Sequence, residues 1–165
     1  MTTKREVGTD EELLDAVGPA LGRLRRSSLL DVEDPISQKD LSRTLVLRIV
    51  EDAAHEGGRE VTVGAVADHL GVDPSVGSRM VSDCIAAGYL VRAASQQDGR
   101  RTVLLLSPEG EGLMNRFRRH QRAAYEQITA DWSAHDRLEL ARLLIKYVES
   151  QDALRHHAQT RRTAR

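Results

Sequence analysis

The sequence has little cysteine, few aromatic residues and no long apolar run. A single cysteine, Cys84, stands among 165 residues, which excludes an internal disulfide framework and is typical of a reducing, cytoplasmic environment. Aromatic residues make up only 3% of the chain, which argues against a stacking platform for single-stranded nucleic acid. No apolar run approaches the length of a membrane span, and the first residues lack the apolar centre of a secretory signal. We therefore expect neither membrane insertion nor secretion.

The chain also lacks an excess of positive charge. Its formal net charge is −1, whereas domains that bind nucleic acid are often basic. Any contact with phosphate must therefore come from the local placement of a few cationic side chains.

Patterns typical of enzymes and metal sites are missing as well. The sequence contains no glycine-rich phosphate loop, no nucleophile elbow and no paired-cysteine motif. The six histidines show neither ligand spacing nor an acid–base partner; they are His55, His69, His120, His135, His156 and His157. We expect no catalytic activity, no cofactor and no metal.

Apolar residues recur at helical spacing in four long segments. The first begins near Asp10, which is predicted to cap it, and Pro19 predicts a kink or a break. The other three cover about 36–55, 109–131 and 134–154. The last residues, Thr160 to Arg165, form a short basic tail that is expected to fray.

Two short helices are predicted between the second and third of these segments. Thr62 precedes the first short helix, and Gly71 ends it in the manner of a left-handed cap. Asp73 and Pro74 then supply the N-cap and the first residue of a new helix, which Gly88 terminates. Two short helices joined by a glycine-containing turn form a helix-turn-helix.

A β-hairpin follows this helix pair. In "VRAASQQDGRRTVLLLS" (Val91 to Ser107), two apolar runs flank a loop that contains Asp98-Gly99, a strong local turn signal. A helix-turn-helix followed by a hairpin predicts a mainly α fold with a small β-hairpin wing.

These segments resemble the MarR family of multiple-antibiotic-resistance regulators. The segment "LGVDPSVGSRMV" is similar to the family's recognition segment, and Gly88, Leu90 and Arg92 are similar to its entry into the wing. Asp98-Gly99-Arg100 resembles the family's wing signature, and "LSPEG" follows at the family's spacing. The resemblance implies a winged helix-turn-helix with N- and C-terminal dimerisation helices.

The resemblance covers nearly the whole chain and implies one domain, 1–165. Dimerisation helices are expected in 10–34 and 109–156, the winged helix-turn-helix in 36–108, and a basic tail in 157–165. Two positions depart from the family pattern. Val76 stands where a threonine is common, and Gly77 stands inside the recognition helix, where it either permits a close approach to DNA or loosens the helix.

The resemblance also implies a set of DNA contacts. The recognition helix would enter the major groove, where Arg79 would contact guanine and Val76 a thymine methyl group. The wing would reach toward the minor groove with Arg100, which Asp98 would hold by a charge-assisted bond, while Arg101 and Arg92 would lie near phosphate. The recognition-helix residues are Ser75, Val76, Ser78, Arg79 and Ser82, and the wing residues are Arg92, Asp98, Arg100 and Arg101. For Ser82, an ordinary solvated surface is the alternative.

The expected function is that of a sequence-specific regulator of transcription, a repressor that binds double-stranded DNA. Because one winged helix covers few base pairs, we expect a homodimer on a pseudo-palindromic operator. Many family members respond to anionic or phenolic small molecules. Arg23, Arg25 and Arg26 are candidates to line such an effector cleft, with a solvated helix face as the alternative.

Two other functions remain open at this stage. The weak overall charge favours a winged helix that binds protein rather than specific DNA. Alternatively, Cys84 could make the protein a redox-sensing regulator, although its position on the apolar side of the recognition helix favours a buried small hydrophobe.

Overall fold

The computed structural model describes residues 9–26 and 36–163, with side chains for 9–24 and 36–154. The helices are α1 (Asp10–Arg26), α2 (Gln38–His55), α3 (Val63–Leu70), α4 (Pro74–Ala86), α5 (Pro108–Ile128) and α6 (Ala134–Thr163), and the strands are β1 (Leu90–Ala94) and β2 (Thr102–Leu106). The chain divides into two compact units, one containing α1 and the other α2 to α6. The expected mainly α fold with a hairpin wing is confirmed.

The first unit contributes the single helix α1. A reciprocal pair caps it: the Glu12 amide donates to Thr9 Oγ (3.3 Å) and the Thr9 amide donates to Glu12 Oε2 (2.8 Å). The cap is therefore Thr9 and not Asp10 as expected. The helix continues through Pro19 without the break that the sequence suggested. Residues 27–34 of the predicted dimerisation stretch lie outside the described residues.

The helix-turn-helix of the second unit follows its sequence signals closely. The Ala65 amide donates to Thr62 Oγ (3.2 Å) at the start of α3, and Gly71 ends that helix with φ 65°. Asp73 occupies the N-cap position of α4, where its backbone carbonyl accepts from the Gly77 amide at 3.0 Å. Its side chain makes no capping bond, so the start of α4 depends on the backbone and on Pro74.

The two strands form an antiparallel hairpin in which Leu90 pairs with Leu106 and Ala94 pairs with Thr102. Val61 adds a third, single-residue contact, because the Leu104 amide donates to its carbonyl at 2.8 Å. The wing is therefore tied to the residue that precedes the cap of α3.

The hydrophobic core lies where α2, α4, α5 and the hairpin meet. Its members with at most 1% exposure are Val46, Leu47, Val66, Val81, Cys84, Leu90 and Met114. Around this core α2 packs against α4, α5 and β2, and α3 packs against α4.

A compact junction connects the hairpin to α5. The Ser107 hydroxyl donates to the Gly88 carbonyl (2.5 Å) and accepts from the Gly110 amide (3.0 Å). A Cβ atom on Gly110 would lie 2.2 Å from the Tyr89 carbonyl oxygen, so only glycine fits there without displacement. The "LSPEG" segment thus caps helix α5 through Ser107 and brings Gly110 into close contact with the backbone of Tyr89.

The C-terminal helices differ from the sequence-based bounds. Helix α5 ends at Ile128, earlier than residue 131, and α6 continues to Thr163 rather than ending near residue 154. Residues 157–163 of the predicted basic tail, including 160–163 that were expected to fray, are therefore helical backbone, and residues 164–165 lie outside the described residues. Across the described ranges, no helix combines the length and apolar character needed to span a bilayer.

Candidate nucleic-acid interface

Helix α4 has one exposed polar face and one packed face. Ser75, Ser78, Arg79 and Ser82 are all exposed, and their spacing of three and four residues places them on the same side of the helix. The opposite side is buried through Gly77, Val81 and Cys84, while Val76 is half-buried. No described carboxylate pairs with Arg79, so its guanidinium is available to a ligand. The five predicted recognition residues therefore belong to one exposed surface and its edge.

Gly77 lies on the packed side of α4 and faces α3. A Cβ atom at this position would lie 2.6 Å from the Ala67 Cβ atom and 3.0 Å from its Cα atom. The glycine therefore permits α3 and α4 to cross at close range within the helix-turn-helix. The expectation that it lets the helix approach DNA is wrong, since the residue is buried.

A polar network that the sequence analysis missed joins α4 to α2. The Arg43 guanidinium donates from Nε to Asp83 Oδ2 (2.7 Å), from Nη2 to Asp83 Oδ1 (3.3 Å), and from Nη1 to Asp40 Oδ1 (2.8 Å). The same guanidinium lies over the Tyr89 ring, 5.5 Å from its centroid, and the Tyr89 hydroxyl donates to Asp40 (3.2 Å). Lys39 completes the network with its Nζ atom 3.4 Å from Asp83. The one local signal in the sequence was the i, i+3 spacing of Asp40 and Arg43.

The network stabilises the ionised carboxylates. Hydrogen bonding from Arg43 holds the pKa of Asp83 below its ordinary value, with a further contribution from Lys39. Burial raises the pKa of Asp40, but hydrogen bonds from Arg43, Ser37 and Tyr89 outweigh it, and the net pKa is lowered. The arginine therefore favours the ionised form of both carboxylates.

The wing loop is fixed at its base by Glu60, which the sequence analysis also missed. Its carboxylate accepts from the Ser95 hydroxyl (2.5 Å) and from the Gln96 amide (2.7 Å). The buried Ser95 hydroxyl in turn accepts from the Asp98 amide (2.9 Å). The hydrogen bond from Ser95 is the main reason why the pKa of Glu60 is lowered, and the charge of Arg101 contributes.

At the wing tip, Asp98 shapes the backbone rather than holding a guanidinium. Its carboxylate accepts from the Arg100 amide (3.1 Å), and its carbonyl accepts from the Arg101 amide (2.8 Å). Among the described ion pairs none joins Asp98 to the side chain of Arg100, so the expected charge-assisted bond is corrected to a turn-forming contact. Arg92, Arg100 and Arg101 are all exposed along the wing.

Cys84 does not have the surroundings of a redox sensor. Its side chain is buried on the packed side of α4, and burial raises the pKa of its thiol to about 11. Because the reactive form of cysteine is the thiolate, a buried thiol with a raised pKa is unreactive at neutral pH. Within the residues that the structure describes, no group of three His, Cys, Asp or Glu side chains is placed to hold a metal.

The structure describes only part of the predicted effector cleft. Arg23 is exposed on α1, and the side chains of Arg25 and Arg26 lie outside the described residues. A groove of about 720 Å³ opens elsewhere, between the end of α2, the hairpin and the start of α5. Val50, Val103 and Leu105 are among its apolar lining residues, and the ion pair between Glu51 and Arg118 (2.7 Å) also lines it.

The helix-turn-helix and most of the hairpin fall within a segment that matches a known protein family. Residues 40–101 match the model of the MarR family. No curated protein sequence matches the chain.

Solved structures with low sequence identity share the fold. YusO from Bacillus subtilis has 16% identity and a TM-score of 0.58, with 86% of this chain and 99% of that chain covered. A mutant of MarR from E. coli has 20% identity and a TM-score of 0.56, with 87% and 98% covered. The PcaV transcriptional regulator from Streptomyces coelicolor, solved in complex with its natural ligand, has 20% identity and a TM-score of 0.52, with 88% and 99% covered. The chain thus contains a segment, 40–101, that matches the model of the MarR family, and it has the winged helix-turn-helix fold of these solved structures.

Proposed function

We propose that the protein is a sequence-specific regulator of transcription that binds double-stranded DNA. The observation that carries this proposal is the exposed face of α4, where three serines surround Arg79 and no described carboxylate pairs with that arginine. The only acidic side chain on α4, Asp83, is bound by cations of α2. The surface that would meet DNA thus offers hydrogen-bond donors and one available positive charge.

Helix α4 would enter the major groove, which is wide enough for one α-helix and whose base edges differ for each base pair. Arg79 suits a two-pronged contact with guanine, and the serine hydroxyls suit phosphate or base edges. Val76 at the edge of this face suits a thymine methyl group. The wing would carry Arg100 toward the minor groove, whose negative potential attracts an inserted arginine.

The proposed active form is a homodimer. Helix α6 has no buried residue among its described side chains, and apolar residues such as Leu138, Ile145 and Val148 are exposed on it. An exposed apolar surface of this extent requires a partner, and a second copy of the chain supplies the same surface by two-fold symmetry. Two recognition helices about one DNA turn apart, roughly 34 Å, would then read a pseudo-palindromic operator.

We propose repression as the sign of regulation and a small anionic or phenolic compound as the effector. The structure of PcaV with its natural ligand supports the idea that this fold can hold a small molecule. Arg23, Arg25 and Arg26 would line its site. Such a ligand acts only through different affinities for the DNA-binding and non-binding arrangements of the dimer.

The test begins with selection of operators from random double-stranded DNA, together with the DNA upstream of the protein's own gene. The wild type, Arg79→Ala and Arg100→Ala are then titrated at two salt concentrations, with Arg59→Ala as a matched control because its guanidinium is paired with Glu56 away from α4. We expect each interface variant to lose about 1–3 kcal/mol of operator binding, and the control to lose little. Promoter activity in the presence and absence of the protein reports the sign of regulation.

If selection enriches no sequence, the DNA-binding proposal is wrong. The chain would then be a winged helix that recognises another protein, and the exposed face of α4 would be the surface to map.

A further inference from the structure

We propose that Arg43 is a positioning residue for the DNA interface, which sets the specificity of α4 without touching DNA. This inference rests on the proposed function. Arg43 lies on α2, its side chain is only 14% exposed, and both branches of its guanidinium are occupied by carboxylates. A direct contact with phosphate would require it to give up these bonds.

Contacts from three parts of the chain fix the guanidinium. Asp40 binds it within α2, Asp83 binds it from α4, and the Tyr89 ring lies against it at the end of the α4–β1 connection. Asp40 is itself held, since Ser37 and Tyr89 donate hydroxyl hydrogen bonds to it at 2.8 and 3.2 Å. Because each member is constrained by another, the arginine has one arrangement rather than several.

The position of Asp83 explains why this matters for recognition. Asp83 follows Ser82 directly and lies four residues, about one helical turn, after Arg79. The two bonds from Arg43 to its carboxylate therefore fix the rotation of α4 about its own axis. A small change in that rotation moves Arg79 and the serines away from the base edges that they would read.

The same bond has an electrostatic role. A free carboxylate on a helix that lies in the major groove is repelled by phosphates on both sides. Arg43 and Lys39 neutralise Asp83, so the helix keeps an acidic side chain without that penalty. Replacing Arg43 therefore both releases α4 and exposes a negative charge beside the DNA.

The experiment compares Arg43→Gln, Arg43→Lys and Asp83→Asn with the wild type, and uses Arg118→Gln as the control. Arg118 forms a comparable ion pair with Glu51, but between α5 and α2 rather than with α4. For each folded dimer, the dissociation constants for the selected operator and for a scrambled duplex are measured over a range of salt, alongside the free energy of unfolding. Asp83→Asn keeps the shape of the side chain, which guards against a variant that fails to fold.

We expect Arg43→Gln to weaken operator binding by about tenfold or more, while binding to scrambled DNA changes less. Asp83→Asn should weaken operator binding but leave scrambled binding equal or tighter, since a negative charge is removed. Arg43→Lys keeps the charge but lacks the planar fork, so it should restore scrambled binding without restoring specificity. For Asp83→Asn the salt dependence should not fall below that of the wild type, because no phosphate contact is lost and no free carboxylate is left beside the DNA.

Two results would overturn the positioning role alone. If Arg43→Gln lost affinity equally for both DNAs while Asp83→Asn lost none, Arg43 would be a direct phosphate contact. If both variants left the ratio of the two constants unchanged and lowered only the free energy of unfolding, the network would be merely structural. If the wild type itself selects no sequence, the proposed function fails and this inference fails with it.

Discussion

The winged-helix region buries its apolar side chains, whereas helix α6 exposes most of its own. Between α2 and the start of α5, the chain encloses a core in which Val46 and Leu47 have no exposed surface. On α6, Leu138 is 73% exposed and Ile145 is 60% exposed, and no described side chain of that helix is buried. The first region buries its apolar side chains within its own compact unit, whereas most of the apolar side chains of α6 stay exposed there. Such a helix is stable only when something covers it, because most helical stability in proteins comes from packing.

The largest effect on assembly and DNA binding is expected when charged residues replace apolar residues on the surface of α6. Leu144→Glu combined with Val148→Glu places two carboxylates one turn apart where we expect a second copy to pack. The dimer should dissociate, and operator affinity should fall by at least about 100-fold, since a monomer contacts only one half-site. Sedimentation velocity and DNA titration measure the two effects.

Gln151→Glu is the matched control for this change, because it adds a carboxylate at an exposed polar position of the same helix. A double variant that sediments like the wild type and binds operator normally would mean that α6 is not the dimer surface.

In the winged-helix region, the addition of a single methyl group at the α3–α4 crossing should already lower the free energy of unfolding. Gly77→Ala adds one methyl group 2.6 Å from the Ala67 Cβ atom, and overpacking of this kind costs about 1–3 kcal/mol. Ala67→Gly in the same chain removes the closest of the new contacts, although the Ala67 Cα atom stays 3.0 Å away, and it should therefore recover part of the loss. Urea unfolding of the two single variants and the double variant gives the coupling between the sites.

The control is Gly112→Ala on α5, where an added Cβ atom meets nothing within 4 Å. In an exposed helix this substitution should stabilise by roughly 0.5–1 kcal/mol. Opposite signs at the two glycines are the expected result, and equal effects would contradict the close α3–α4 crossing.

The Arg43 network predicts that the stability of the protein depends on pH in the acidic range. Because the folded pKa of Asp83 is lowered, its ionised form stabilises the protein fully above the ordinary pKa of 3.8, and this contribution is lost as the pH falls below that value. The unfolding free energy of the wild type should therefore decline more steeply in this range than that of Asp83→Asn. Parallel pH profiles of the two proteins would show that the bond to Arg43 contributes nothing.

The smallest expected effect concerns Cys84. With its thiol buried and its pKa raised to about 11, the native protein should react with a thiol reagent at pH 8 far more slowly than the unfolded chain. Treatment with peroxide should leave operator affinity unchanged. Rapid modification of the folded dimer, accompanied by loss of DNA binding, would instead support a redox-sensing regulator.

Sequence signals located the winged helix well, because its boundaries are set by local chemistry. Thr62, Gly71 and Gly88 each cap or end an element through their own side-chain or backbone properties, and the structure has them in those roles. The Asp-Gly turn likewise predicted the hairpin to within a residue or two at each end.

What the sequence could not give depends on contacts between distant residues. Arg43 and Asp83 are 40 positions apart, and Glu60 and Ser95 are 35 apart, so no periodic pattern connects them. The burial of Gly77 against α3 was missed for the same reason. The exposed serines and arginines of the candidate interface were predictable as surface residues, but the network that orients them was not.

The joint at Ser107 has a mechanical consequence. The Ser107 hydroxyl connects the carbonyl of Gly88, just past the end of α4, to the first turn of α5. The close contact of Gly110 with Tyr89 leaves no space for the two segments to move closer together. Helix α5 has 21 residues and is therefore about 31 Å long, and its first turn meets the chain just past the end of α4. A tilt of about 5° at this turn displaces the far end by roughly 3 Å. We therefore expect a molecule that moves the far end of α5 by that distance to act through the Ser107 contacts on Gly88, at the end of α4.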